Sequence, residues 1–332
     1  MGDMNDKDET EGFAAGEMMT CPECERRVPP DRLSCIYCGA EVGLSDSQRL
    51  TAKAVFGTIE PWESGFSVVG RSTIELSEAS LENTAALLSL EIGDLKELLG
   101  PGHHVPLIRV GKLAETALVI ERLSNFGISA FEISDKELAP KTPPRRLRGL
   151  DFGHHGMRPQ LFNESSEDLP SFIPALVVRG FLSRTEQAST EKESKRGSKT
   201  IDSSEVGTHE AVIDLYRKGD SRGFRIRTDG FDFSCLGSRK AFTAAANMDV
   251  LAEKIRAEYP DAAFENSYRR KRRLLDLVWP QNESVSSEGI ERLSFRGYAR
   301  KKVAYTDNEQ QFTKYSRLQF LLDNRADTDE AE

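Results

Sequence analysis

Long hydrophobic runs are missing from this chain, and none approaches the roughly 18 residues that a membrane-crossing helix needs. The longest, such as Ile173-Pro174-Ala175-Leu176-Val177-Val178, are strand-sized, so a helical membrane span is excluded. The opening residues have little basic charge. The chain opens with Asp3, Asp6, Asp8, Glu9 and Glu11, the wrong charge for a secretory signal, and a cytoplasmic location is expected. No glycine-rich phosphate loop follows the apolar strand Val105 to Val110, only Gly111-Lys112, so no nucleotide site is read there. Histidine is scarce. His103-His104 and His154-His155 are adjacent pairs, which on a strand point to opposite faces and do not share a metal, and His209-Glu210 also reads as a surface pair.

An excess of one sign of charge is absent from the body of the chain. The formal net charge of −9 is carried by the ends: residues 1–19 hold six acids and one Lys, and residues 323–332 hold five acids and one Arg. Both ends read as disordered acidic tails, and the neutral body between them neither repels nor attracts phosphate as a whole. With 332 residues, of which 38% are apolar and 30% charged, the chain is expected to fold as about two domains plus appendages.

Cysteine is rare and unevenly placed: four of the five lie in one window, Cys21-Pro22-Glu23-Cys24 and Cys35-Ile36-Tyr37-Cys38. Two CxxC hooks ten residues apart can wrap four thiolates around one Zn²⁺ at about 2.3 Å, a closed coordination sphere that builds structure and leaves no place for substrate. Residues 20–42 are too few to bury a core, with only Val28, Leu33, Ile36, Tyr37 and Val42 as sizeable apolar residues. Binding of roughly 10–16 kcal/mol, as in zinc-finger peptides, would order the segment in place of that core. Pro22 stiffens the first hook, Gly39 follows the last ligand, and Pro29-Pro30-Asp31 forms a turn between them. This window resembles the short zinc-ribbon family, whose pattern is CPxCG, a ten-residue spacer with a central turn, then CxxCG. Glu25 departs from it, standing where the family has glycine, which implies a less regular first knuckle.

Residues 44–79 carry one strand-like piece around Trp62, Phe66, Val68 and Val69. From Ser80 to Leu99, leucines at three- and four-residue steps predict one bent helix or two short ones. A compact β-α-β follows: strand Val105 to Val110, a helix from about Leu113 to Phe126 burying Leu113, Ala117, Ile120 and Leu123, and strand Ile128 to Ser134. The wording Pro106-Leu107-Ile108-Arg109-Val110, then Glu115-Thr116-Ala117 and Phe126-Gly127-Ile128, resembles the small ferredoxin-like units of prokaryotic signal-transducing proteins. The Pro-rich basic stretch 139–146 is read as a linker between domain 43–138 and domain 147–322.

In that second domain, strands are expected at Leu147 to Phe152, Met157 to Phe162, Ala175 to Leu182, Ala211 to Arg217, Gly223 to Thr228 and Phe231 to Leu236. Asp229-Gly230 signals a hairpin, and Phe224 and Ile226 alternate with Arg225 and Arg227 as in a half-buried strand. Residues 185–204 are nearly free of apolar side chains and read as a flexible excursion. A long helix over about Ser238 to Glu258, with Ser238 as cap and Phe242 near its buried stripe, and a second over Ala263 to Trp279 complete the pattern. Residues 145–260 resemble a pleckstrin-homology-like barrel, and an open sheet fits equally. The fold class is α+β multidomain: a zinc ribbon, a small β-α-β unit, and a mainly antiparallel β domain capped by a long helix.

The function expected is that of a non-enzymatic zinc-ribbon binding or adaptor protein with a protein partner. Its one cofactor is a structural zinc ion on Cys21, Cys24, Cys35 and Cys38, and no catalytic residue is assigned. One alternative is nucleic-acid binding through the ribbon and the basic helix 269–273, Arg269-Arg270-Lys271-Arg272-Arg273, beside the cation and ring mixture Phe295, Arg296, Tyr298, Arg300, Lys301, Lys302 and Tyr305. The other is an enzyme with a site near 209–235, where Asp232, Ser234 and Cys235 stand together. Against it, alternation places Cys235 with Phe231 and Phe233 in the core, and no base for the thiol is identifiable.

Overall fold

The computed structural model describes residues 18–29, 35–40, 42, 59–72, 76–99, 104–162, 169–194, 197–294 and 297–329. Residues 1–17 of the expected acidic tail, Leu33 of the ribbon, and Phe295 and Arg296 lie outside that set. The class is α+β, and the chain divides into two compact units, Met1–Ile133 and Ser134–Glu332. No helix among the described residues is long and apolar enough to cross a membrane.

The first unit opens with a two-stranded hairpin, β1 (Met19–Thr20) and β2 (Arg27–Val28), with Met19 opposite Val28. Its interior is Cys21, Val28, Cys35 and Val42, with Met19, Cys24 and Ala40 packed against them. Ile36 and Tyr37 do not join that interior; they are 52% and 54% exposed. So small a set of buried carbons does not offset the entropy of ordering this stretch.

Next, β3 (Phe66–Ser72), β4 (Val105–Val110) and β5 (Ile128–Ser134) form a sheet in the order β4-β3-β5, with β3 antiparallel to β4. The expected β-α-β is therefore split, because β3 lies between its two strands. Successive buried residues Val68 and Val69 suit this central place, since neighbours along a strand face opposite sides of the sheet. The leucine-rich stretch is two helices, α1 (Glu78–Leu88) and α2 (Ile92–Leu98), divided at Ser89, which takes φ 54°. Helix α3 (Leu113–Asn125) buries Thr116, Val119 and Leu123 with Leu118 and Arg122, while Leu113 is 55% exposed. The buried stripe is rotated from the expected one toward Thr116, whose hydroxyl is satisfied by the Leu113 carbonyl at 2.7 Å.

The second unit is built on β6 (Arg145–Gly153), β7 (Gly156–Leu161), β8 (Leu176–Ser194), β9 (Gly197–Arg217), β10 (Asp220–Arg227), β11 (Ala263–Glu265), β12 (Asn282–Ser294) and β13 (Gly297–Asp307). They form one open sheet ordered β12-β13-β8-β9-β10-β6-β7, with β11 also beside β8. The β10–β6 and β11–β8 pairings are parallel and the others antiparallel. One face is covered by α4 (Ala244–Glu258), whose Met248, Leu251, Ala252 and Ile255 meet Leu147, Val177, Ile213, Leu215, Phe224 and Ile226. The other face carries α5 (Tyr268–Val278) and the C-terminal helix α6 (Glu309–Asp329). There Tyr216 stacks on Phe320 at 4.9 Å and Arg225 reaches Thr313 at 3.2 Å. Gly180 lies beneath Phe312 and Tyr268, and a Cβ on it would come within 2.3 Å of the Phe312 ring.

Several expectations are corrected here. Residues 185–204 are not a loose excursion: apart from 195–196, outside the described residues, they belong to β8 and β9, paired from Leu176↔Tyr216 to Ser194↔Gly197. With β13 on β8 and β12 on β13 they form a four-stranded polar ribbon. Backbone ladders between long neighbours order such a stretch without apolar side chains. Arg225 does not face water; α6 covers its face and leaves it 1% exposed. Phe231 to Leu236 is not a strand. Asp232 accepts the Ser234 N–H at 2.9 Å and starts 3₁₀ turns over Phe233–Arg239, kinked at Gly237 (φ 56°), so Asp229-Gly230 closes no hairpin. Thr243, not Ser238, caps α4, accepting the Ala246 N–H at 3.2 Å, and Phe242 is wholly exposed. The helix expected from Ala263 begins only at Tyr268, because Ala263–Glu265 pair with Leu176–Val178. Finally, α6 runs to Asp329, through most of the stretch expected as a tail, because extending a formed helix adds one hydrogen bond per residue fixed.

Candidate metal centre and basic cleft

Two equivalent turns position the four cysteines. In the first, the Cys21 N–H donates to the Arg26 carbonyl at 2.9 Å and the Glu25 N–H to the Cys21 carbonyl at 3.0 Å. In the second, the Cys35 N–H donates to the Ala40 carbonyl at 2.7 Å and the Gly39 N–H to the Cys35 carbonyl at 2.8 Å. Both turns need a left-handed residue at the same place: Glu25 at φ 58° and Gly39 at φ 76°. The first knuckle is thus as regular as the second, and the glutamate adopts the glycine conformation.

The four Sγ atoms lie within 4.8 Å of one another, with Cys21 to Cys38 at 3.6 Å and Cys24 to Cys35 at 3.5 Å. These separations are far longer than a disulfide bond of about 2.05 Å, and the group can hold a metal ion. Burial pushes the Cys35 thiol up, but the N–H groups of Tyr37 and Cys38 aimed at its sulfur, with the neighbouring thiols, bring it down to about 6. For Cys38 the Ala40 amide lowers the value, yet burial and the other three thiols push it up to about 12. One sulfur readily carries charge and another resists it, as expected where ionising one thiol raises the cost of ionising its neighbours.

The residues of the two alternative sites are distributed differently. His209 and Glu210 line an open cleft of about 620 Å³ with Arg179, Phe181, Ala211, Asp249, Asn266, Arg269 and Arg272, and neither Asp232 nor Cys235 is in its wall. Glu210 is committed: it accepts from Arg227 Nη2 at 2.6 Å and from the Asp229 N–H at 2.9 Å. Burial pushes Glu210 up, but those donors outweigh it and hold its carboxyl below the ordinary range. Asp232 is held down by the Ser234 N–H and hydroxyl that it caps. The Cys235 thiol, half-buried against the core, is pushed by burial up to about 11. Of the basic run, Arg269 and Arg272 reach the cleft. Lys271 lies toward Glu265, and Arg270 is exposed.

Sequence reasoning missed Arg179 and Asp214. Arg179 stands at a spacing of two from both Val177 and Phe181, the alternation that could have set it on one face with them. Asp214 interrupts the apolar strand Val212-Ile213-Asp214-Leu215-Tyr216, the usual mark of a charge with a buried partner. Comparisons of the chain with protein-family models, with curated proteins and with solved structures return no match.

Proposed function

We propose that Cys21, Cys24, Cys35 and Cys38 bind one zinc ion as a structural zinc ribbon, and that the protein is a non-enzymatic binding or adaptor protein. The geometry of the sulfurs carries this reading. A tetrahedron with Zn–S bonds of about 2.3 Å has S···S edges of about 3.8 Å, and two observed edges are 3.5 and 3.6 Å. Four thiolates complete the shell, so the ion would order residues 20–42 and take no substrate. The commitment of Glu210 and Asp232 to local hydrogen bonds, and the raised Cys235 thiol, also weigh toward binding and away from acid–base or thiolate catalysis.

Elemental analysis of purified full-length protein tests the metal. About one zinc per chain is expected, lost in the Cys21→Ser, Cys38→Ser variant while the fluorescence of buried Trp279, in the other unit, is unchanged. Protein that takes up no zinc when zinc is supplied would defeat the reading.

A further inference from the structure

The cleft of the second unit forms where β8 changes neighbours. On that edge β11 pairs with Leu176–Val178 and β13 with Arg184–Glu193. Among the described residues no strand occupies the interval between them, and Asn308 takes the strand's place. Its Oδ1 accepts the Ser183 N–H at 2.6 Å and its Nδ2 donates to the Phe181 carbonyl at 3.1 Å. The start of α5 borders the gap, bringing Asn266, Arg269 and Arg272 to the rim above Gly180, Phe181 and Ala211.

Charge around the cleft is not balanced. Glu210 is neutralised by Arg227, and Asp249 takes Arg179 Nη2 at 2.5 Å, but among the described residues neither Arg269 nor Arg272 forms an ion pair. The Arg272 guanidinium lies over the Phe181 ring at 5.3 Å from its centroid, and among the described residues its buried Nε has no hydrogen-bond partner. His209 packs edge-on to the same ring at 6.3 Å. The N-terminal end of α5 is already met by Glu265, whose carboxylate accepts the Ser267 N–H at 2.5 Å, so the unbalanced charge at the cleft is that of the two guanidinium groups. Volume then chooses the ligand size. At about 620 Å³ the space falls in the range of small-molecule sites, and Asp249 and Glu210 interrupt the basic track that a strand of nucleic acid needs.

We propose that this cleft binds a small molecule carrying a phosphate group, with the phosphate between Arg269 and Arg272 and the rest of the ligand over Phe181 and Ala211. In this arrangement Asp249 is a competitor. It holds Arg179 until the phosphate arrives, so removing its charge frees a third arginine.

Calorimetric titration of the zinc-loaded full chain with inorganic phosphate, AMP and a thymidine oligonucleotide tests the site. AMP binding is expected to weaken with salt and to exceed that of inorganic phosphate, because only AMP covers the apolar floor. Arg269→Ala and Arg272→Ala should each weaken it about tenfold or more. Asp249→Asn should tighten it, which a merely structural effect of substitution would not do, and Arg270→Ala, outside the cleft, should leave it unchanged. The proposal is overturned by absence of AMP binding, by equal affinity for phosphate and AMP, by loss in Arg270→Ala, or by binding of the oligonucleotide alone. The metal centre is not involved, so failure here would leave the zinc reading intact.

Discussion

Glu25 occupies a backbone conformation that its side chain disfavours, since at φ 58° its Cβ crowds the following carbonyl. The same turn in the second knuckle uses Gly39, and the hydrogen bonds around both positions match, so the strain follows from the turn and not from any role of the carboxylate. Glu25→Gly is expected to relieve up to about 1 kcal/mol, the left-handed cost less the extra freedom glycine gains in the unfolded chain. Chelator competition would read this as metal affinity raised by as much as about fivefold. Unchanged or weaker affinity would show that Glu25 contributes something the turn geometry does not contain. The four-cysteine cluster was legible because it is local: two CxxC hooks ten residues apart state their proximity in the sequence. The conformation of Glu25 was not, because comparison with a consensus glycine suggests irregularity where the chain instead accepts strain.

The elements of the second unit show what alternation hides when both faces of a sheet are covered. β10 reads as half-buried, Phe224 and Ile226 inward and Arg225 outward, and the inward half is right. The outward half fails because α6, far along the chain, lies over it. Arg225 then needs a partner within the layer, and directly across the ladder Asp214 supplies one, with Nε to Oδ1 and Nη2 to Oδ2 both at 2.8 Å. Glu309 and Thr313 of α6 accept from Nη1 and Nη2 at 3.2 Å each. Side-chain exposures of 2% for Arg225 and 0% for Asp214 mean that removing one partner strands a charge in the interior. Asp214→Ala is expected to lower the stability of this unit by about 3–5 kcal/mol, whereas Asp214→Leu with Arg225→Met should cost much less, since a buried pair of matched charges contributes little net stability. Urea unfolding followed by Trp279 fluorescence measures both. A double variant as unstable as the single one would place the cost in shape and not in charge. The polar ribbon teaches the complementary lesson, that 185–204 was unreadable as strand because its order lies in backbone pairing, which side-chain composition does not record.

Across the whole molecule, legibility follows how far apart in sequence the cooperating residues lie. The cysteine window spans 18 residues, while the cleft draws on β8, β9, α4 and α5, from Arg179 to Arg272. Only the change of neighbour along β8, a property of the assembled sheet, brings those residues together. The same assembly sets how the second unit responds to acid. Burial raises Glu265, but the Ser267 hydroxyl and N–H, the latter at 2.5 Å, outweigh it and hold the carboxyl below the ordinary range, as Arg227 and the Asp229 amide do for Glu210. A carboxyl depressed in the folded state binds its proton more tightly when unfolded, so each contributes stability that is complete above the ordinary carboxylate value of about 4.3 and is lost as pH falls through the folded value. The second unit should therefore unfold at lower urea at pH 3.5 than at pH 7, read through buried Trp279 because Trp62 is already 71% exposed. Ser267→Ala, which removes the hydroxyl that favours ionised Glu265, should lessen the dependence, and Glu210→Gln should lessen it again. If the urea midpoint of the wild-type chain does not fall between pH 7 and pH 3.5, the two carboxyls are not coupled to folding in this way.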